Sequence, residues 1–380
     1  MNPLLRSIIL LIFLGACKKQ TPEETSSLAD QIDSLVTSEH QAKRFDGTLV
    51  VGNKEDILYE RAIGISNRIW NIPMRLDHRF DICSINKSFI AMLILIACEE
   101  DKLSLDNHLT DLLKNYTYSG QFHPDITLHQ MLTHTAGLPD YGQIDKSLSA
   151  NKFQHFKRKH FSNKSYVDFI SNVKSIDEPN KQFYYSNFAY HLLAIILEDA
   201  YGLSFPELLQ EKISNPLGLN HTISSISNED VFGKMADAYN YDKDTDSWQQ
   251  NQFIDLTLGR RIFSSAGDLY LWGKEMNNSL LLTEKSMALM QTNHLKSITP
   301  DISYGYGWVI FDGDGKYRMG DLGIDRQYII HGGTTEGFKS MLVNIENGEY
   351  IIAFLSNTGS QTDELALTKK IIQLLIKNEE

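Results

Sequence analysis

Leu28, Ile32, Leu35 and Val36 recur at helical spacing and predict an amphipathic first helix. Residues 47–51 and 57–62 read as two strands joined by a turn at Gly52-Asn53-Lys54. The stretch Asp81-Ile82-Cys83-Ser84-Ile85-Asn86-Lys87-Ser88-Phe89-Ile90-Ala91-Met92 then opens a run that stays apolar through Cys98. That run is too hydrophobic to face water on any side, which predicts a buried central helix beginning at Ser84. Residues 100–250 alternate helical patterns with polar loops and show little strand character. From about residue 253 the period changes: 306–311, 328–331, 338–345 and 350–356 predict antiparallel strands, the last two joined by a tight hairpin at Asn347-Gly348. Leu365, Leu367, Ile371, Ile372 and Leu375 predict a closing helix over 363–377.

Strands at both ends and helices between imply an α+β fold, an α/β sandwich. One antiparallel sheet is built from both chain ends and flanked by helices, and a mostly helical domain is inserted into it. The boundaries read as 28–80 and 253–380 for the sheet domain and 81–252 for the helical domain. No internal repeat is visible.

The first 17 residues follow the pattern of an export signal, with a short basic start, an apolar core from Ile8 to Phe13, and Leu14-Gly15-Ala16-Cys17 as a lipid-attachment box. The apolar core is too short to span a bilayer. Residues 18–27 are polar and suit a tether. The expectation is a lipoprotein of the cell envelope, held to a membrane through acylated Cys17. Without residues 1–16 the chain carries 35 Lys and Arg against 48 Asp and Glu, which argues against nucleic acid as a partner. If one helix joins Cys83 and Cys98, they stand about 20 Å apart at 1.5 Å per residue, so both are expected to be free, buried and structural.

Ser84 at the start of a buried helix has its N–H among the unpaired donors there, in a field that favours negative charge. Lys87, one turn on, falls on the same face and can reach the hydroxyl. Together they supply a nucleophile, an amine to manage its proton and half of an oxyanion hole. Ser149/Lys152 and Ser171/Lys174 repeat the spacing but begin no apolar helix. Tyr185-Ser186-Asn187 precedes a helical pattern from residue 188. A phenol near an ammonium has its ionised form favoured, so Tyr185 beside Lys87 can accept a proton. Asn187 offers both a donor and an acceptor to a substrate amide. His331-Gly332-Gly333 ends a strand with two residues lacking side chains, which lets a substrate backbone lie against the sheet edge.

The order Ser-x-x-Lys, Tyr-x-Asn, His-Gly-Gly resembles the serine β-lactamase and penicillin-binding-protein superfamily. The likeness is to its class C branch, with D-alanyl-D-alanine carboxypeptidases, D-aminopeptidases and esterases. Supporting segments are Asp125 to Pro139, Asn215-Pro216-Leu217-Gly218-Leu219 and Ser264-Ser265-Ala266-Gly267-Asp268-Leu269. The resemblance runs from about Phe45 to Leu375. It implies an acyl-enzyme on Ser84 formed with Lys87 and Tyr185, an oxyanion hole from the N–H groups of Ser84 and Thr334, and substrate contacts at Asn187, His331, Gly332 and Gly333. No cofactor or metal is implied, and the partner is a small-molecule or peptide substrate.

Two departures bear on substrate. His331 stands where class C β-lactamases carry lysine, and a mostly uncharged imidazole pulls weakly on a carboxylate. Small esters or D-amino-acid amides and peptides are therefore favoured over the β-lactamase or carboxypeptidase alternative. Arg260-Arg261 replaces paired glycines; the pair reads as surface charge, or as a substitute cation. Among rivals, His108, His123, His129 and His134 lack a His-Glu-x-x-His pattern for a metal hydrolase, and no Gly-x-Ser-x-Gly elbow is present. The rival from another class is a non-catalytic binding protein on this fold.

Overall fold

The computed structural model describes residues 26–145, 161–225, 231–251, 260–313, 317–335 and 337–379. The signal and lipid box at 1–17, nearly all of the tether and the Ser149/Lys152 pair lie outside the described residues. Strands β1 (Gly47–Gly52), β2 (Ile57–Ile63), β3 (Val309–Phe311), β4 (Tyr328–Thr335), β5 (Phe338–Ile345) and β6 (Tyr350–Ser356) form one sheet in the order β3-β4-β5-β6-β1-β2. Every neighbouring pair is antiparallel. The two ends of the chain meet in its middle, where Gly47 of β1 lies opposite Ser356 of β6.

The framing helices are α1 (Leu28–Gln41), α2 (Asn86–Glu99), α3 (Asn187–Tyr201), α4 (Ala266–Asn278) and α5 (Glu364–Lys377). Side chains alternate across a strand, and here each face has its own core. Leu342, Ile351, Ala353 and Leu355 enter the larger core with α2, α3 and α4. Met341, Val343, Ile345, Ile352 and Phe354 enter a second core closed by Ile32 and Val36 of α1 and Leu367, Ile371 and Leu375 of α5. A strand covered on both sides needs no polar face, which is why β6 reads as an almost unbroken apolar run. Helix α2 is buried at every residue from Lys87 to Ala97. It is tied to α4 by the Trp272 indole, which donates to Ser88 Oγ (2.9 Å) and stacks on Phe89 with centroids 4.1 Å apart. Among the described residues no helix is long and apolar enough to cross a membrane.

Several elements differ from the pattern. The strand predicted over 306–311 is only Val309–Phe311. Gly305 N–H turns back to Trp308 O (2.8 Å), and Gly307, at φ +74°, lies so close to Lys87 that a Cβ would come within 2.7 Å of its carbonyl. Tyr306 and Trp308 are apolar because they fill the larger core. The helical stretch also contains strands: Ile223–Ser225 pairs with Arg261–Ser264, which pairs in turn with Phe80–Asp81, and Tyr239–Asp242 forms a hairpin with Ser247–Gln250. These are two to four residues long and largely polar, too short to show a period. Cys83 is buried and Cys98 half-buried, and both are free.

Candidate active site

Ser84 sits in a single 3-10 turn, Cys83–Ile85, just ahead of α2 rather than within its first turn. The turn begins from a strained position, because Cys83 has φ +53° although it carries a side chain. Such a conformation costs on the order of 1–3 kcal/mol and persists only where neighbours enforce it. Here Cys83 N–H donates to Asp81 Oδ1 (2.8 Å), Asp81 Oδ2 accepts from Arg261 Nε (2.8 Å), Ile82 N–H donates to Ile262 O (3.1 Å), and Ser340 Oγ donates to Ile82 O (2.8 Å). Burial pushes the Cys83 thiol far up, so it stays a neutral packing group.

Lys87 lies one turn on, with Nζ 3.4 Å from Ser84 Oγ and 2.8 Å from Asn187 Oδ1. Asn187 opens α3, and its Nδ2 donates to Asp140 Oδ2 (3.2 Å) while its N–H donates to Asp140 Oδ1 (3.1 Å). Both ends of the Asn187 amide are thus engaged within the protein, which makes it first a holder of Lys87. Burial raises the Asp140 carboxyl, against the opposing pull of its hydrogen bonds. Tyr185 presents its ring face to the ammonium, 4.8 Å from Nζ to the centroid. Behind that ring stands His134, with centroids 4.4 Å apart, and its Nδ1 accepts from Ser186 N–H (3.1 Å). A ring accepting at Nδ1 carries its neutral proton on Nε2, and that buried Nε2 makes no hydrogen bond among the described residues.

The third predicted box lies on β4. Strand β3 covers only Tyr328–Ile330 of it, so its edge is open from His331 to Thr335 beside the Ser84 turn. Gly333 makes the approach possible: a Cβ there would stand 2.4 Å from both Cys83 Cβ and Ser84 N. Thr334 borders the same cleft as Ser84. His331 is buried, with Nδ1 2.8 Å from Gly332 O and Nε2 3.3 Å from the Tyr304 hydroxyl. Burial, helped by the charge of Lys87, pushes its pKa down to about 3, and the same causes hold His134 well below the ordinary value.

Two clefts meet at Ser84. The larger, ≈ 520 Å³, is lined by Lys87, Tyr141, Asn187, Asn240, Arg261, Thr334 and Lys339 among others. The smaller, ≈ 360 Å³, runs past Tyr185 and His331 along the β4 edge. The expectation that Arg260 and Arg261 are surface charges is overturned. Arg260 is buried, paired with Glu198 and 2.7 Å from His191 Nε2. Arg261 forms part of the larger cleft's wall and is paired with buried Asp81. The other histidines are dispersed: His108 contacts Pro124 O, His123 pairs with Glu178, and His129 contacts the Tyr306 hydroxyl. Among the described residues no group of three or more His, Cys, Asp or Glu is gathered as a metal site would need.

Four supporting residues are missed by the sequence reading: Asp81 and Asp140 have no role assigned there, His134 is weighed only as a metal ligand, and Arg261 only as surface charge or a substitute cation. Asp81 stands three residues before Ser84, and Asp140 directly follows the segment ending at Pro139. That segment cradles the tyrosine box, since Ser186 Oγ also donates to Pro139 O (2.7 Å).

The model of the family described as Beta-lactamase matches residues 32–375. Penicillin-binding protein 4* of Bacillus subtilis (strain 168) is 24% identical over 362 residues, covering 90% of this chain and 75% of that protein. Protein flp of Staphylococcus aureus (strain MRSA252) is 23% identical over 348 residues, and the chain spans 64% of its length against 89% of its own. Among solved structures, D-amino acid amidase of Ochrobactrum anthropi SV3 complexed with L-phenylalanine amide superposes with a TM-score of 0.74 at 19% identity, covering 93% of this chain and 100% of that one.

Proposed function

This chain belongs to the Beta-lactamase family, and on that premise we propose that it hydrolyses small uncharged esters or D-amino-acid amides and peptides through an acyl-enzyme on Ser84. The observation that carries the reading is the Ser84 hydroxyl 3.4 Å from a lysine that Asn187 and Asp140 hold in place, at the junction of two clefts. Ser84 Oγ attacks the carbonyl carbon as its proton passes toward Lys87 and Tyr185. The oxyanion collects against the N–H groups of Ser84 and Thr334. Collapse breaks the bond to the alcohol or amine, which leaves with a proton, and water then cleaves the acyl-enzyme.

Uncharged substrates are favoured because, apart from Lys87, which handles the Ser84 proton, the cationic side chains bordering the two clefts are already paired. Arg261 is paired with Asp81 and Lys339 with Glu364, and the His331 ring is neutral. A lost charge-assisted contact of ~1.5–3 kcal/mol is worth about tenfold or more against a carboxylate. The amidase among the structural relatives supports the amide branch of this reading. The test is hydrolysis of a nitrophenyl ester with fluorophosphonate labelling. Both are expected in the wild type, with Ser84→Ala losing ~10⁴-fold or more in kcat. An adduct mapped to another residue would sink the assignment.

We place the protein in the cell envelope, anchored through Cys17, on the strength of the Leu14-Gly15-Ala16-Cys17 box. A Cys17→Ser variant is expected to leave the membrane fraction or remain unprocessed. Unchanged fractionation and processing would refute the anchor.

A further inference from the structure

Lys87 is buried and makes no ion pair among the described residues; its Nζ meets only the oxygens of Ser84 and Asn187 by hydrogen bond. A buried charge without a partner is costly, so what else surrounds that nitrogen matters. Two rings do: the Tyr185 centroid lies 4.8 Å from Nζ and the Tyr190 centroid 5.6 Å, both inside the ~6 Å over which an aromatic face attracts a cation. Tyr190 follows Asn187 by three residues in α3, so one face of that helix presents both a carbonyl oxygen and a π face to Lys87. It borders neither of the clefts that meet at Ser84, and its route to the chemistry runs through the lysine.

We infer that Tyr190 is a positioning residue for acyl transfer, its ring stabilising the positive charge that Lys87 carries once it has taken the Ser84 proton. The inference rests on the hydrolase reading above. As the Ser84 Oγ to carbonyl carbon bond forms, the Oγ–H bond breaks and an Nζ–H bond forms, so positive charge appears on the lysine while negative charge appears on the substrate oxygen. A π face already aimed at that nitrogen needs no reorganisation at that moment. The ring is held in place: Tyr190 is buried, its hydroxyl donates to Leu132 O (2.7 Å), and the His134 ring packs against it with centroids 5.0 Å apart. His134 is uncharged and does not compete with Lys87 for the electron-rich face. Hydroxyl and ring therefore have separate tasks, the first tying α3 to the segment that carries His134 and the second facing Lys87.

Two replacements of nearly the same shape test this on the full chain: Tyr190→Phe, which keeps the ring and drops the hydroxyl, and 3,4,5-trifluorophenylalanine at the same position, whose fluorines drain negative charge from the ring face. The readout is labelling of Ser84 by a fluorophosphonate, resolved into its maximal rate and its half-saturating concentration. Tyr190→Phe is expected to stay within about twofold of the wild-type maximal rate, because the ring remains. It should nonetheless melt at a lower temperature, having lost the bond to Leu132 O. The trifluoro ring and Tyr190→Leu are each expected to lower the maximal rate by about tenfold or more, with the half-saturating concentration little changed. A merely structural role would not distinguish two rings of one shape, and that pair carries the test alone should Tyr190→Leu unfold. Equal maximal rates for the two rings overturn the inference, as does a Phe variant as slow as a folded Leu variant, or a loss confined to the half-saturating concentration. If the wild type labels at Ser84 and the two rings behave alike, this inference alone falls. If the wild type does not label at Ser84, the hydrolase reading falls and takes the inference with it.

Discussion

Two serines among the described residues stand three positions before a lysine, and they lie at opposite ends of their helices. Ser84 enters α2 from its N-terminal side, with Lys87 inside the helix and beneath it. Ser171 ends the helix Asn163–Ser171, and Lys174 lies beyond it in an exposed loop. At the first site the nearby orphan groups are N–H donors, which stabilise developing negative charge. At the second they are carbonyls. Ser171 Oγ donates to Asp168 O (2.7 Å) and accepts from Gly120 N–H (3.1 Å), so its hydroxyl is consumed by the fold. The same four-residue pattern is a candidate nucleophile at one end of a helix and a C-terminal brace at the other.

The largest way to break this contrast without touching Ser84 is to displace its turn. Gly333→Ala would put a Cβ 2.4 Å from Ser84 N. The strand or the turn must move, and a shift of that order is expected to cost ~10²-fold in kcat. Wild-type kcat in a folded Gly333→Ala protein would show that the close packing of strand on turn is dispensable. Next comes the ion pair that fixes Cys83. Arg261→Gln leaves the Asp81 carboxylate buried without its cation, at an expected ~3 kcal/mol of stability by urea unfolding. Arg261→Lys is expected to recover part of it, and no loss in either variant would remove the pair from the account of the turn.

A smaller effect separates the polar backing of the first site from anything behind Ser171. His331 is neutral when folded, with a pKa of about 3, and His134 is also held well below the ordinary value. In the unfolded chain both titrate near ~6.5. Below that pH the unfolded state binds protons that the folded state refuses, so stability is full above ~6.5 and falls as pH drops toward ~3. The slope is roughly 1.4 kcal/mol per pH unit for each histidine. His331→Gln is expected to flatten the fall by about one proton between pH 6.5 and 4.5. Parallel urea midpoints for the two proteins would contradict a buried neutral His331. The smallest effect is Ser171→Ala, expected to cost ~1 kcal/mol for its buried hydrogen bonds while leaving turnover at the wild-type rate. A drop in turnover there would end the contrast.

The sequence pattern carried the large sheet, the closing helix and α2, because strong periods and long apolar runs survive any tertiary context. It also carried Ser84, Lys87, Tyr185 and the His331-Gly332-Gly333 strand as neighbours in space. What it concealed were interactions between distant segments. Nothing local marks Arg261 as the partner of Asp81, or His134 as the acceptor for Ser186 N–H. Two adjacent arginines read as solvated charge because burial of a cation depends on an acid elsewhere in the chain, here Glu198 and Asp81. Tyr306 and Trp308 read as strand because apolar residues beside a glycine look alike whether they face a sheet or a core. The fate of Gly307 was set by the approach of Lys87, more than 200 positions earlier in numbering.

The meeting of the chain ends in the sheet also carries a message about timing. Strand β1 cannot complete its pairing until β6 arrives, and the Ser84 turn has no Gly333 to rest against until β4 is in place. Contacts of such sequence separation form late, since loop closure must precede their reward. A chain emerging from synthesis therefore carries an unassembled Ser84 turn until its last strands dock. In a refolding time course, Ser84 becoming reactive to a fluorophosphonate should coincide with the slowest structural phase, and labelling that precedes it would mean the turn forms on its own.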